Sequence, residues 1–304
     1  MGEPGWVEVD APSVTLRGLL WKPRADSKDA PIALCLHGFP DTPHSWRFLA
    51  PILAAAGWKV VAPFMRGYAP STIPTDGSYQ LGALMDDALR VLDAVGPTGR
   101  DVFIGHDWGA MTGFGLAAMP DGPFTKAVLM SVPPFASFRP LGRVPNAAGL
   151  AAKLPRQLAR FWYLGYFQLP LLPERSASWV PRRLWRRWSP GYDATEDLRH
   201  VDAAIGTRES WQAALGPYRA PVRNRRQPAA YAELGRHSLS PPVLPTLYLH
   251  GNDDRCMTAD FSPWVKHILP TGSEVHRVDN AGHFLQLEQP EIVAGHIVDF
   301  VGRG

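Results

Sequence analysis

The sequence predicts an α/β fold, a mostly parallel central sheet flanked by helices on both faces and interrupted by an inserted helical segment. Three observations predict it. Short β-rich runs alternate with helical patterns through the first part of the chain. That alternation stops after Pro133-Pro134 in a stretch rich in Arg, Trp and Pro, and strand-like sequence resumes near residue 243. Strands that alternate with helices pair in parallel, because each crossover helix must lie on a face of the sheet.

Taken in order, Val14 to Trp21, Ile32 to Leu36, Lys59 to Ala62, Asp101 to Ile104 and Lys126 to Met130 read as strands, with helices over Ser45 to Ala56, Ser78 to Val95 and Trp108 to Met119. A further helical stretch runs from Gln157 to Phe167 within the interruption. Val243 to His250 and Glu274 to Val278 return to the strand pattern, and a closing helix spans Pro290 to Val301. The expected organisation is a core made of residues 1–135 and 242–304, with residues 136–241 inserted as a helical cap. Charge separates the same two parts. Residues 136–240 hold 17 Lys+Arg against 7 Asp+Glu, although the whole chain holds 31 against 28.

With 304 residues, 45% of them hydrophobic, the chain can bury a substantial interior. The opening MGEPGWVEVDA has neither the basic nor the apolar region of a secretory leader, and no apolar run is long enough to cross a bilayer, so a soluble, cytoplasmic protein is expected. Cys35 and Cys256 lie beside apolar runs and are expected as reduced, buried thiols. A formal net charge of +3 argues against a nucleic-acid partner. No ligand cluster or dinucleotide loop calls for a metal or an organic cofactor. Monomer and homodimer both stay open.

Reactive groups in open α/β sheets collect where strands end and helices begin. Three such places stand out. The first is GHDWGA at residues 105–110, a small-x-nucleophile-x-small turn between a strand and a helix, with Asp107 where a serine is usual. A carboxylate there attacks saturated, polarised carbon to give an alkyl ester, and is ill suited to cleaving peptides or esters. The alternative is that Asp107 only caps the helix that follows. The second is HGFP, residues 37–40, where the backbone N–H of Phe39, paired with that of Trp108, forms a candidate oxyanion hole; Pro40 fixes the turn, with a cis bond one way of doing so. The third is AGHF, residues 281–284. His283 stands on a glycine-containing loop after the last strand, in the chain order expected of a general base. Its carboxylate partner cannot come from the end of KAVLM, because no acidic residue lies between Asp121 and Glu174. It comes instead from GNDD after TLYLHG, with Asp254 the choice and Asp253 the alternative.

At this point the sequence resembles the soluble epoxide hydrolase family, close kin of the haloalkane dehalogenases, within the α/β-hydrolase fold. The resemblance runs through HGFPDTPHSW, RGYAPS, GHDWGA, FWYLGYFQ, GPYRA, GNDD and AGHFLQLEQP. It implies that Asp107 is the nucleophile, Asp254 the acid and His283 the base. It also implies that Tyr163 and Tyr218, from the cap, donate hydrogen bonds to an epoxide oxygen. One position departs from the family pattern: the acidic residue usual two places before Arg66-Gly67 is Phe64. A phenol suits the role, since it donates a proton while staying neutral at physiological pH. The bland alternative is that both tyrosines simply pack, as Phe161, Trp162, Tyr166 and Phe167 are expected to do.

The expected reaction turns a small apolar epoxide, aryl or fatty, and water into a vicinal diol. A haloalkane dehalogenase would share Asp107 and His283 and use the Trp108 indole on a departing halide, but its family usually carries Asn at the position of Phe39 and lacks the tyrosine pair. A ligand-binding protein that lost turnover is the rival from another class. Within the cap, RRLWRRW at 182–188 interleaves charge with aromatics. It either rests weakly on an anionic membrane surface or, as a solvated helix, turns its tryptophans inward under arginine stems.

Overall fold

The structure, a computed structural model, describes residues 3–23, 29–134, 137, 152–223 and 228–303. Its strands are β1 (Gly5–Ala11), β2 (Val14–Trp21), β3 (Ile32–Leu36), β4 (Lys59–Pro63), β5 (Val102–His106), β6 (Lys126–Met130), β7 (Thr246–Gly251) and β8 (Glu274–Val278). They form one sheet in the order β1-β2-β4-β3-β5-β6-β7-β8. The β1–β2 and β2–β4 pairs are antiparallel, and every pair from β4 to β8 is parallel.

Residue alternation along the central strands explains the layers. In β3, Ile32, Leu34 and Leu36 face one apolar cluster while Ala33 and Cys35 face another; in β5, Phe103 faces the first, and Val102 and Ile104 the second. Both faces are covered, so every residue of β3 and β5 is buried and the strands read as unbroken apolar runs. Strand β1 was not expected from the sequence. It lies at the sheet edge with only Val9 of its seven residues buried, so its signal is pairing with β2 rather than an apolar run.

The core helices are α1 (Leu49–Ala55), α2 (Leu81–Val95) and α3 (Trp108–Ala117). The expected helix over Ser45 to Ala56 is two pieces, a 3-10 turn at Pro43–Trp46 followed by α1. Between β6 and β7 come α4 (Leu154–Arg160), α5 (Trp162–Tyr166), α6 (Val180–Trp188), α7 (Thr195–Ile205), α8 (Arg208–Ala214), α9 (Gly216–Arg223) and α10 (Ala229–His237). The helix expected over Gln157 to Phe167 is broken at Phe161, which ends α4 and starts α5. After β7 follow α11 (Ser262–Lys266), α12 (Leu285–Glu288) and α13 (Pro290–Gly302).

The boundary expected between residues 135 and 136 lies outside the described residues. At the other end, α10 was expected in the cap but packs against α2 and α3 of the core. Its Tyr231 hydroxyl donates to Asp76 Oδ2 at 2.7 Å. Counting charge does not reveal this, because contacts rather than composition decide which layer a helix joins.

Helix α6 ties the insertion to the sheet end. Leu184, Trp185 and Trp188 are buried while Arg183, Arg186 and Arg187 point outward. The Trp185 ring stacks on Phe284 with centroids 3.5 Å apart, and its indole N–H donates to Pro40 O at 2.7 Å. One side chain thus touches the loops carrying Phe39 and His283.

Candidate active site

Asp107 follows β5 directly and adopts φ 53°, ψ −115°, a backbone conformation that costs a non-glycine residue about 1–3 kcal/mol. The turn is possible because its neighbours are small. A Cβ on Gly109 would collide with Leu36 O, and one on Gly38 would collide with the Asp107 side chain. The carboxylate makes no capping bond to α3. It is turned the other way: Oδ1 accepts the Phe39 N–H at 2.8 Å, and Oδ2 lies 3.6 Å from His283 Nε2. Helix capping therefore does not account for Asp107. The Phe39–Pro40 peptide is cis.

His283 is fully buried, and Nδ1 is 2.9 Å from Asp254 Oδ2. Asp253 is exposed and takes no part. The other oxygen of Asp254 accepts the backbone N–H groups of Cys256 at 2.6 Å and Met257 at 3.0 Å. The carboxylate is thus held on both oxygens beside the imidazole. The His283 carbonyl is anchored by His106 Nε2 at 2.8 Å and by the Ser131 hydroxyl at 2.7 Å. Glu288 shapes the same loop by accepting from Gly282 N at 2.8 Å and Phe284 N at 3.2 Å. His283 Nε2 is left without a hydrogen-bond partner, facing Asp107.

Burial opposes a charge on His283, but Asp254 and Asp107 outweigh it and raise the imidazole pKa. Burial likewise opposes the charge on Asp254, yet His283 and His250 hold that carboxyl well below the usual range.

A cavity of about 290 Å³ opens above Asp107, lined by Trp108, Met111, Leu158, Phe161, Met257 and Phe261 among others, and by Tyr163 and Tyr218. The two tyrosine rings stand edge to face, 5.9 Å apart, and both are buried. Burial first, and then the nearby Cys256 thiol for Tyr163 or the Asp107 charge for Tyr218, raises both phenols well above their ordinary pKa. Asp107, Tyr163 and Tyr218 therefore line one cavity, and His283 and Asp254 stand in a row behind the Asp107 carboxylate. The Phe39 N–H reaches Asp107, whereas the Trp108 N–H makes no bond to it. Among the described residues, no group of His, Cys, Asp and Glu is placed to hold a metal ion, and no helix is long and apolar enough to cross a membrane.

Sequence reasoning missed several supports. His250 Nε2 lies 3.3 Å from Asp254 Oδ2, and its Nδ1 is 2.7 Å from the Tyr248 hydroxyl. His106 was passed over as part of the turn. The available signal was polarity where none belongs, a histidine at the end of the fully buried strands β5 and β7. Cys256 was expected as a buried thiol, and both cysteines are free and buried. Its place in the cavity wall, with Sγ 3.6 Å from the Tyr163 hydroxyl, was not foreseen. Gln157 joins α4 to the acid loop through Cys256 O at 2.7 Å and Thr258 N at 3.0 Å. At Phe64, the position that departs from the family pattern, the ring stacks on Trp6. Arg66 is fixed instead by Asp87 of α2, with both carboxylate oxygens at 2.7 Å.

The chain belongs to the α/β-hydrolase fold family: the family described as alpha/beta hydrolase fold matches residues 31–290. It is similar to epoxide hydrolase A of Mycobacterium tuberculosis, 28% identical over 99% of this chain and 98% of that protein. It is also similar to epoxide hydrolase 4 of Homo sapiens, 28% identical over 88% of this chain and 72% of the other. Among solved structures, epoxide hydrolase A from Mycobacterium thermoresistibile superposes with a TM-score of 0.70 at 26% identity, covering 99% of this chain and 98% of that one. The resemblance drawn from the motifs is upheld by these relatives.

Proposed function

We propose that the chain is an epoxide hydrolase working through an alkyl ester on Asp107, and one observation carries the reading. The Asp107 carboxylate has one oxygen on a backbone N–H and the other toward His283, beneath a cavity into which two protonated phenols converge.

The two oxygens divide the work. Oδ1 is occupied by the Phe39 N–H, so Oδ2 attacks the epoxide carbon. The C–O bond of the ring breaks, and Tyr163 or Tyr218 protonates the oxygen that leaves. Burial keeps these phenols protonated, which suits a general acid. After alkylation on Oδ2, the ester carbonyl oxygen is Oδ1, already at its donor. Water then loses a proton to His283 Nε2 and attacks the ester carbon. The negative charge forms on Oδ1, where such a donor is worth about 3–4 kcal/mol in the transition state. Collapse of the tetrahedral intermediate breaks the bond to the alkyl oxygen, which takes the proton of the hydroxyl that water brought, so the diol leaves, Asp107 returns as a carboxylate and His283 is left as the imidazolium.

The proton inventory is consistent. In the resting site two carboxylates favour the imidazolium, and esterification removes the charge of Asp107. The His283 pKa falls as the ester forms, so the imidazolium gives its proton back to the tyrosinate left by ring opening and becomes a base when a base is needed. The apolar lining favours apolar epoxides, aryl or fatty, and residues 152–223 serve as the cap that shapes their site.

The test is diol formation from an aryl epoxide by the wild type and by Asp107→Ala. The expected outcome is turnover by the wild type and a loss of about 10⁴-fold or more in the variant. Absence of diol across a panel of epoxides would contradict the proposal.

A further inference from the structure

Helix α4 has two differently furnished faces. Gln157, Leu158 and Phe161 line the cavity over Asp107. Arg156 and Arg160 face a second pocket of about 380 Å³, which they enclose with Arg186 and Arg187 of α6 and with Arg255, the residue after Asp254.

No carboxylate pairs with any of these five arginines among the described residues. Elsewhere in the insertion Arg182 meets Asp202 and Arg219 meets Glu174. Arg160 is half-buried, and its Nη1 donates to Asp254 O at 3.3 Å. Burial and the nearby Arg156 push its pKa below the ordinary guanidinium value, against the opposing charge of Asp254. Four of the 17 basic residues of 136–240 thus meet in one concavity, with Arg255 as the fifth.

Guanidinium forks match tetrahedral oxyanions in a bidentate manner, and a multiply charged group relieves more repulsion than a single carboxylate. We propose that the five-arginine pocket binds a phosphate group, supplied either by a soluble phosphate compound or by a phospholipid headgroup. It lies across α4 from the substrate cavity and is separate from it. The proposal does not depend on the epoxide reading, since binding is measured without turnover.

The experiment titrates the whole chain calorimetrically with inorganic pyrophosphate and measures its cosedimentation with phosphatidylcholine vesicles, with and without phosphatidic acid. Two variants are compared. Arg156→Gln/Arg186→Gln/Arg187→Gln empties the pocket of three exposed charges. Arg17→Gln/Arg90→Gln/Arg100→Gln removes the same charge elsewhere. The wild type is expected to bind pyrophosphate, or vesicles only when they contain phosphatidic acid. The pocket variant should bind about tenfold more weakly, beyond what general charge screening explains, and the control should match the wild type. Pyrophosphate binding assigns a soluble source; binding to acidic vesicles alone assigns a lipid one. Failure of the wild type to bind either probe, or equal loss in both variants, overturns the proposal. Circular dichroism of the variants separates lost binding from lost folding.

Discussion

The floor and the roof of the cavity are built on different principles. On the floor, Asp107, Asp254 and His283 follow the ends of β5, β7 and β8, and each is fixed by backbone donors or by buried polar partners. On the roof, Tyr163 and Tyr218 come from the short helices α5 and α9, and aromatic contacts with Phe167 and Trp188 place them. Rigid strand ends hold charge at hydrogen-bonding distance, while packed rings set the shape and dryness of the space above it. The two halves meet at α6, where Trp185 contacts the loops carrying Phe39 and His283.

Three experiments sharpen that division. The largest effect should come from taking the proton donors off the roof. Tyr163→Phe with Tyr218→Phe removes two hydroxyls and leaves the packing, so epoxide turnover should fall about 10²–10⁴-fold with little change in melting temperature. Undiminished ring opening would make both tyrosines wall residues only. Next, Trp185→Ala should cost about 3–5 kcal/mol, read as a lower urea midpoint, because it leaves a void and removes the indole bond that spans the two loops. A change well under that range would mean that roof and floor are held together elsewhere.

The smallest expected effect is a pH dependence confined to the floor. The pKa of His283 is raised by Asp254 and Asp107, and the proposed esterification of Asp107 would lower it. Hydrolysis of the ester needs the neutral imidazole, so it should slow about tenfold per pH unit below the lowered pKa, whereas ester formation does not use that base. Acid-quenched samples should therefore show more alkylated protein as pH falls. An alkylated fraction independent of pH would contradict a role for His283 as base.

The contrast also explains how much could be read from sequence. The floor was legible because its rules are local. IALCL and DVFI announce strands buried on both faces, small residues flank Asp107 because the turn has no room for Cβ atoms, and the acid-free stretch after Asp121 sends the search to Asp254. Polar supports such as His250 and His106 were hidden by the same logic, since an apolar run makes its one histidine look incidental. The roof was legible only by resemblance. Nothing in FWYLGYFQ says that the helix breaks at Phe161, or that Tyr163 meets Cys256, because those contacts join residues far apart in the chain. The packing of α10 against α2 and α3 was hidden for a similar reason, since Tyr231 meets Asp76 across 155 positions.

The central claim is that a carboxylate becomes bonded to substrate carbon, and the most direct measurement is the mass of the His283→Gln protein after mixing with an aryl epoxide. The account predicts an increase equal to the whole epoxide, located on the peptide carrying Asp107 and absent when Asp107→Ala is added. An unchanged mass in a folded variant, or an adduct that persists without Asp107, would contradict it.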